Sequence, residues 1–356
     1  MEKRTSTSYF AAANGYDGFR SYFKSIFNSE DFQKVIVLKG GPGTGKSSLM
    51  KKISKYYSEK GFNSDSIYCS SDSNSLDGVI IENENIRAAI LDGTAPHQRD
   101  AEIPGVIDKI INLGDCWDER KLSENRKEIL DLNDQKSHSY TQAYKFLSLS
   151  GIFKNEEIST VEKNFYFEDA KRACESILSK ISNINCGSKE KVRLISCFGK
   201  DGYKQISESD VYAKTYYSVS GKFSSEYVFM SLLLKTAREK NIPITVFPSP
   251  LSERMTEALL IGDSEMFITT HKNYENNINS FDFADEKSIV QEKENIEVYE
   301  NIYKNLIEMS QAYFSKASEY HFALESIYTP LMNFDKINEI TEKIINEFDT
   351  LFKSAK

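Results

Sequence analysis

Val35-Ile-Val-Leu-Lys-Gly-Gly-Pro-Gly-Thr-Gly-Lys-Ser-Ser-Leu-Met-Lys-Lys-Ile53 is the stretch that decides the fold. Its β-branched apolar start, Val35 to Leu38, predicts a buried strand. Leu49, Ile53, Tyr56 and Tyr57 then recur at helical spacing and predict a helix. Between them stands Gly40-x-x-x-x-Gly45-Lys46-Ser47, a full Walker A pattern in the strand–loop–helix context it requires. Triphosphate oxygens need backbone N–H groups aimed at them, and Cβ atoms would crowd that approach. Gly40, Gly41, Gly43 and Gly45 remove the Cβ atoms and permit positive φ, and Pro42 stiffens the loop. The helix start contributes its partial positive charge. The residues expected to cradle phosphate are therefore Gly40, Gly41, Pro42, Gly43, Thr44, Gly45, Lys46, Ser47 and Ser48. Lys46 reaches the terminal phosphates and the Ser47 hydroxyl ligates Mg²⁺.

Working outward, 356 residues allow two domains, each large enough for its own core. With 40% hydrophobic residues the chain falls in the globular class rather than the disordered one. The net charge of −8 gives no global basic field for nucleic acid. No apolar run approaches about 18 residues, so no membrane span is expected. The start, Met1-Glu-Lys-Arg-Thr-Ser, lacks an apolar h-region, so no signal peptide is expected. Cys69, Cys116, Cys174, Cys186 and Cys197 are scattered and odd in number, with no zinc spacing; reduced thiols and a cytoplasmic location are expected.

Ser66 to Cys69 predicts a second short strand. The polar stretch after it contains Asp72 and Asp77, site candidates because α/β sheets place ligand groups past strand ends, and equally turn-forming or capping residues. Arg87-Ala-Ala-Ile-Leu-Asp92 is an apolar strand ending in a carboxylate, a Walker B pattern in which Asp92 holds Mg²⁺ through water. Gly93 follows it, where many P-loop ATPases keep a glutamate base. His97 is the candidate to orient the attacking water or sense the γ-phosphate, with Thr94 and Asp115 as weaker candidates.

From Glu119 to about Ser148, and again over 156–182, the chain favours helix, and together these stretches predict a helical hairpin. Residues 183–189 read as a linker. The second half then follows the first in order. Asp201-Gly202-Tyr203 answers Asp17-Gly18-Phe19, Tyr216–Val219 answers Val35–Leu38, and Gln311-Ala312-Tyr313 answers Gln142-Ala143-Tyr144. Its Walker A counterpart is Ser220-Gly221-Lys222-Phe223-Ser224-Ser225-Glu226-Tyr227-Val228. There Glu226, Tyr227 and Val228 are expected opposite Gly45, Lys46 and Ser47, and Thr269 and Thr270 end the counterpart of the Walker B strand. A carboxylate would repel an anion, so this half is read as unable to bind nucleotide. In the C-terminal arm, Ile296, Tyr299, Tyr303, Leu306, Ser310, Tyr313, Ala317 and Tyr320 form a heptad seam suited to intramolecular packing, with a homodimer or protein partner as the alternative. Pro330 ends it, and Phe334 to Phe352 forms a last helix.

On Leu38 to Lys46, Cys69-Ser-Ser-Asp72, Ser75 to Val79, Asp92-Gly-Thr-Ala-Pro-His97 and Asn112-Leu-Gly-Asp115, the chain resembles a family of bacterial tandem P-loop ATPase-like proteins. The resemblance implies a P-loop fold and ATP binding without supplying a biological role. The expected architecture is α/β. Two tandem P-loop NTPase-like domains, 1–185 and 190–356, each hold a mostly parallel sheet with flanking helices, followed by a helical hairpin arm. The expected ligands are ATP and Mg²⁺; no guanine-specific Asn-Lys-x-Asp tetrad is present. The leading function is ATP hydrolysis by Lys46, Asp92 and His97 that drives conformational change. The alternatives are a small-molecule or nucleotide kinase and a non-catalytic nucleotide-binding scaffold.

Overall fold

The computed structural model describes residues 7–83, 86–95, 99–181, 190–206, 211–262 and 264–354. The expected linker at 183–189 and His97 lie outside them. The first half holds strands β1 (Ser8–Phe10), β2 (Lys34–Lys39), β3 (Asn63–Tyr68), β4 (Leu76–Glu82), β5 (Arg87–Asp92) and β6 (Asp108–Asn112) in one six-stranded sheet, in the order β1-β3-β4-β5-β2-β6. β2 is parallel to β5 and β6, β1 is parallel to β3, and β4 alone runs against its neighbours. Val35 to Leu38 are wholly buried. Both faces of a central parallel strand are covered, which is why this strand reads as an unbroken apolar run rather than an alternating one.

The second half holds β7 (Lys191–Val192), β8 (Thr215–Ser220), β9 (Ile244–Pro248), β10 (Thr256–Ile261), β11 (Met266–Thr269) and β12 (Asn276–Asn279) in the order β12-β8-β11-β10-β9-β7. Here β8 is parallel to β11 and β12, β7 to β9, and β10 is the antiparallel strand. Edge to edge, the two sheets have the same order and sense. Both break register at the same point, between Ile67 and Tyr68 in one and between Phe247 and Pro248 in the other.

Six helices matter for the site: α1 (Lys46–Glu59), α2 (Arg126–Lys163), α3 (Phe167–Leu178), α4 (Ser225–Glu239), α5 (Lys293–Tyr328) and α6 (Phe334–Lys353). The hairpin expected within 119–182 is not formed as such. α2 runs unbroken for 38 residues, through the stretch where a turn was expected. Its partner is α5, not itself. Ser310 Oγ donates to the Ala143 carbonyl at 2.9 Å, Phe146 stacks on Tyr313, and Phe153 meets Tyr299. From Tyr140 on Phe314, through Ala143 on Ser310, to Phe153 on Tyr299, one number rises as the other falls, so the two helices are antiparallel, and the tyrosine-rich seam is closed within the chain.

Because α2 leads out of the first half and α5 leads back, each carries its following helix across. α3 buries Ala170, Cys174 and Ile177 against Val228, Leu233 and Ile268 of the second half. α6 buries Ile344, Phe348 and Phe352 against Leu49, Ile53 and Tyr57 of the first. Each sheet is therefore completed by a helix delivered on the other half's arm. The end of α5 and the Thr329–Leu331 turn lie over the loop between β2 and α1.

Candidate functional site

The loop from Gly40 to Gly45 joins the buried β2 to α1. Gly43 and Gly45 take φ of +67° and +78°, left-handed values that a side chain would strain. Gly45 is the residue from which α1 starts. Thr44 is buried, and its hydroxyl donates to the Gly41 carbonyl at 2.9 Å, closing the loop. Ser48 sits exposed on the first turn of α1.

Lys46 folds back over this loop. Its Nζ donates to the Gly40 and Gly41 carbonyls at 2.6 and 3.0 Å and lies 3.5 Å from Asp92 Oδ2. Asp92 arrives there because β5 is the parallel neighbour of β2, with Leu38 and Asp92 in register. Its other oxygen accepts the Thr94 N–H at 2.8 Å, and the Thr94 hydroxyl donates to the Gly40 carbonyl at 2.9 Å. The structure thus brings together Lys46, Asp92 and Thr94. Ser47 Oγ accepts the Leu76 N–H at 2.9 Å, which fixes the oxygen and leaves its proton and a lone pair available.

The other candidates are placed elsewhere. Asp72 pairs with Lys200 of the second half at 3.3 Å, and Asp115 accepts from Asn112 in its own turn at 2.6 Å. Asp77 is buried beside Cys69. Burial and then the Asp77 charge push the Cys69 thiol well above its usual range, so the thiol stays protonated. Arg87 pairs with Glu82, and the buried Arg99 with Asp108 at 2.8 Å; both are committed to structure rather than to a phosphate lid.

Sequence reasoning missed the residues that cover the loop. The Gly43 N–H points at Glu325 Oε1, 3.4 Å away. Glu325 is paired in turn with His321 at 3.6 Å. The His321 imidazole, the Gly43 N–H and the Lys46 charge hold the Glu325 carboxyl below its usual range, against burial. Trp117 lies against Gly41, where a Cβ would come within 3.2 Å of its ring, and packs on Tyr328 at 5.3 Å between centroids. No local signal marks Glu325, which is 282 residues from Gly43. Lys39 was also missed; its Nζ holds the Gly93 carbonyl at 2.6 Å and Asp100 at 2.7 Å.

These residues fit a magnesium-chelated triphosphate. The Gly43 N–H faces an anion already, in the Glu325 carboxylate. A lysine and a carboxylate stand together at its mouth, and a fixed serine oxygen begins α1. Among the described residues no cluster of three or more His, Cys, Asp or Glu could hold a metal by itself. Among the described residues no helix is long and apolar enough to cross a membrane. No curated protein and no solved structure matches the chain. Residues 19–311 match the KAP family P-loop domain, which spans most of both halves. The loop geometry, the Lys46–Asp92 pair and that match agree: the chain belongs to the KAP family of P-loop NTPase domains, which bind nucleotide.

Proposed function

We propose that the first half binds Mg·ATP and hydrolyses it, and that the nucleotide state sets the position of the helical arms. The observation that carries this is the Lys46 ammonium 3.5 Å from Asp92 at the mouth of a glycine loop with two left-handed residues. Gly40 to Gly45 and Lys46 would hold the phosphates, and Ser47 with Asp92 would hold the ion. Bound Mg²⁺ would neutralise charge developing on the phosphate oxygens. Lys46 positions and neutralises; Thr94 fixes the Asp92 carboxylate; the Lys39 hold on Gly93 fixes the strand end behind it. His97 remains the proposed group for orienting water.

The second half is proposed as a degenerate copy that binds no nucleotide, so that 1–185 and 190–356 form two tandem units. The matching strand order and sense support this, as does the start of α4 at Ser224, in the left-handed region at φ +64° as at Gly45. Counted from that helix start, Ser224, Ser225 and Glu226 would stand opposite Gly45, Lys46 and Ser47, two residues away from the match expected from sequence. The phosphate lysine is missing in either alignment. Four free cysteines among the described residues support a reducing, cytoplasmic setting.

The test is calorimetric titration with Mg·ATP. Lys46→Ala should weaken binding on the order of tenfold or more, the loss expected for a charge-assisted hydrogen bond. Unchanged affinity would remove the reading. A non-catalytic nucleotide scaffold is the second reading, favoured by Gly93: a Cβ there would collide with Val37 Cγ1, which closes the position where a neighbouring glutamate base would stand. Phosphate release above background by the purified protein excludes that second reading.

A further inference from the structure

We propose that the end of α5 is an anionic plug in the Walker A loop, and that nucleotide enters only by displacing Glu325 and the Thr329 turn. The inference rests on nucleotide binding by the first half and adds the device that controls access to it. Loop N–H groups of this kind exist to receive phosphate oxygens. Here the Gly43 N–H is given to the Glu325 carboxylate instead. Thr329 closes over the same residue. A Cβ on Gly43 would lie 2.5 Å from Thr329 Oγ1 and 3.3 Å from the Glu325 carbonyl. A carboxylate and a phosphate oxygen cannot share one donor, and their like charges repel. One must leave for the other to bind.

The second half carries the same device in a locked form. Glu157, near the end of α2, accepts the Ser224 hydroxyl at 2.8 Å and the Lys154 ammonium at 2.8 Å. Ser224 starts α4 as Gly45 starts α1. Glu157 is 2% exposed, with a charged partner and a hydroxyl donor, so it has no rival for its position. Glu325 is held by one long 3.4 Å bond and a 3.6 Å pair, with its side chain 36% exposed. Of two antiparallel arms with a basic–glutamate pair at each end, only the α5 end can give way. Displacing it separates Tyr328 from Trp117, the single tryptophan of the chain, whose indole N–H is buried without a partner.

The experiment titrates the full chain with Mg·ATP by calorimetry while following tryptophan emission, for the native protein, Glu325→Gln and Lys46→Ala. Glu325 is partly exposed, so thermal unfolding of E325Q should match the native protein and show that the fold is kept. E325Q should bind on the order of tenfold more tightly, the ratio a lost competing charged hydrogen bond implies. At a nucleotide concentration that fills the native protein but leaves K46A mostly empty, Trp117 emission should change in the native protein and far less in K46A. Native binding with equal or weaker binding by E325Q overturns the plug and leaves the nucleotide reading standing. So does native binding with no emission change. No binding by either protein overturns both.

Discussion

Gly93 holds the backbone after Asp92 so close to β2 that no side chain fits: a Cβ would strike Val37 Cγ1 and lie 3.2 Å from the Arg99 carbonyl. Gly93→Ala should therefore destabilise the protein by about 1–3 kcal/mol in urea unfolding, as overpacking does. Asp92 and Lys46 would then shift apart. Arg99 is a harder case. It is buried with Asp108 at 2.8 Å, beside Ser29, with neither side chain more than 2% exposed. Removing one partner strands a charge, so Arg99→Ala should cost about 3–5 kcal/mol by the same measurement. At this scale motif spacing places Lys46 at a helix start and Asp92 at the end of the parallel neighbouring strand, and the fold brings the two to 3.5 Å. The sequence could not separate Asp72 and Asp77 from structural carboxylates, since their partners, Lys200 and a buried sheet, are set by contacts far along the chain.

Among the elements, α6 shows how the arms act. It docks on α1 through Phe348 and Phe352 packed around Tyr57, with Asp349 accepting from both Tyr56 and Tyr57 at 3.0 Å. Phe348 is fully buried. Phe348→Ala should cost about 3–5 kcal/mol, read as a lowered urea midpoint with the Walker A residues untouched. The helices themselves were legible from periodicity, and so was the stop at Pro330. The hairpin was not. Local propensity reports that 119–148 and 156–182 are both helical, but nothing local says whether the stretch between them, Leu149 to Asn155, turns or continues. The decision came from α5, which offers an antiparallel face along the whole of α2.

At the scale of the whole molecule, several carboxylates that join distant parts of the chain are held in charged form. Burial raises Asp108, but the Ile103 N–H, Arg99 and Ser29 outweigh it. Burial likewise opposes Lys109 and Lys34 at Glu347, and Lys60 with Tyr56 and Tyr57 at Asp349, and in each the net shift is downward. Folded values lie below the unfolded values of 3.8 for Asp and 4.5 for Glu, so their stabilisation is fully present above about pH 5 and is lost as pH falls through the folded values. The melting temperature should be flat from pH 7 to about 5 and fall steeply below about 4; a rise on acidification would contradict this. Two of these groups, Glu347 and Asp349, lie on α6, so acid should release the arm that crosses back from the second half.

By itself the sequence determined that a strand, a glycine loop and a helix come in that order, with a second carboxylate-ended strand to follow, because backbone sterics and side-chain period act over a few residues. It also indicated two halves in the same element order. Only the tertiary structure decided that the arms cross, that α6 finishes the first sheet, and that Glu325 rests on the Gly43 N–H. Those contacts join residues hundreds apart, and their partners are selected by which apolar faces remain open once both sheets have formed.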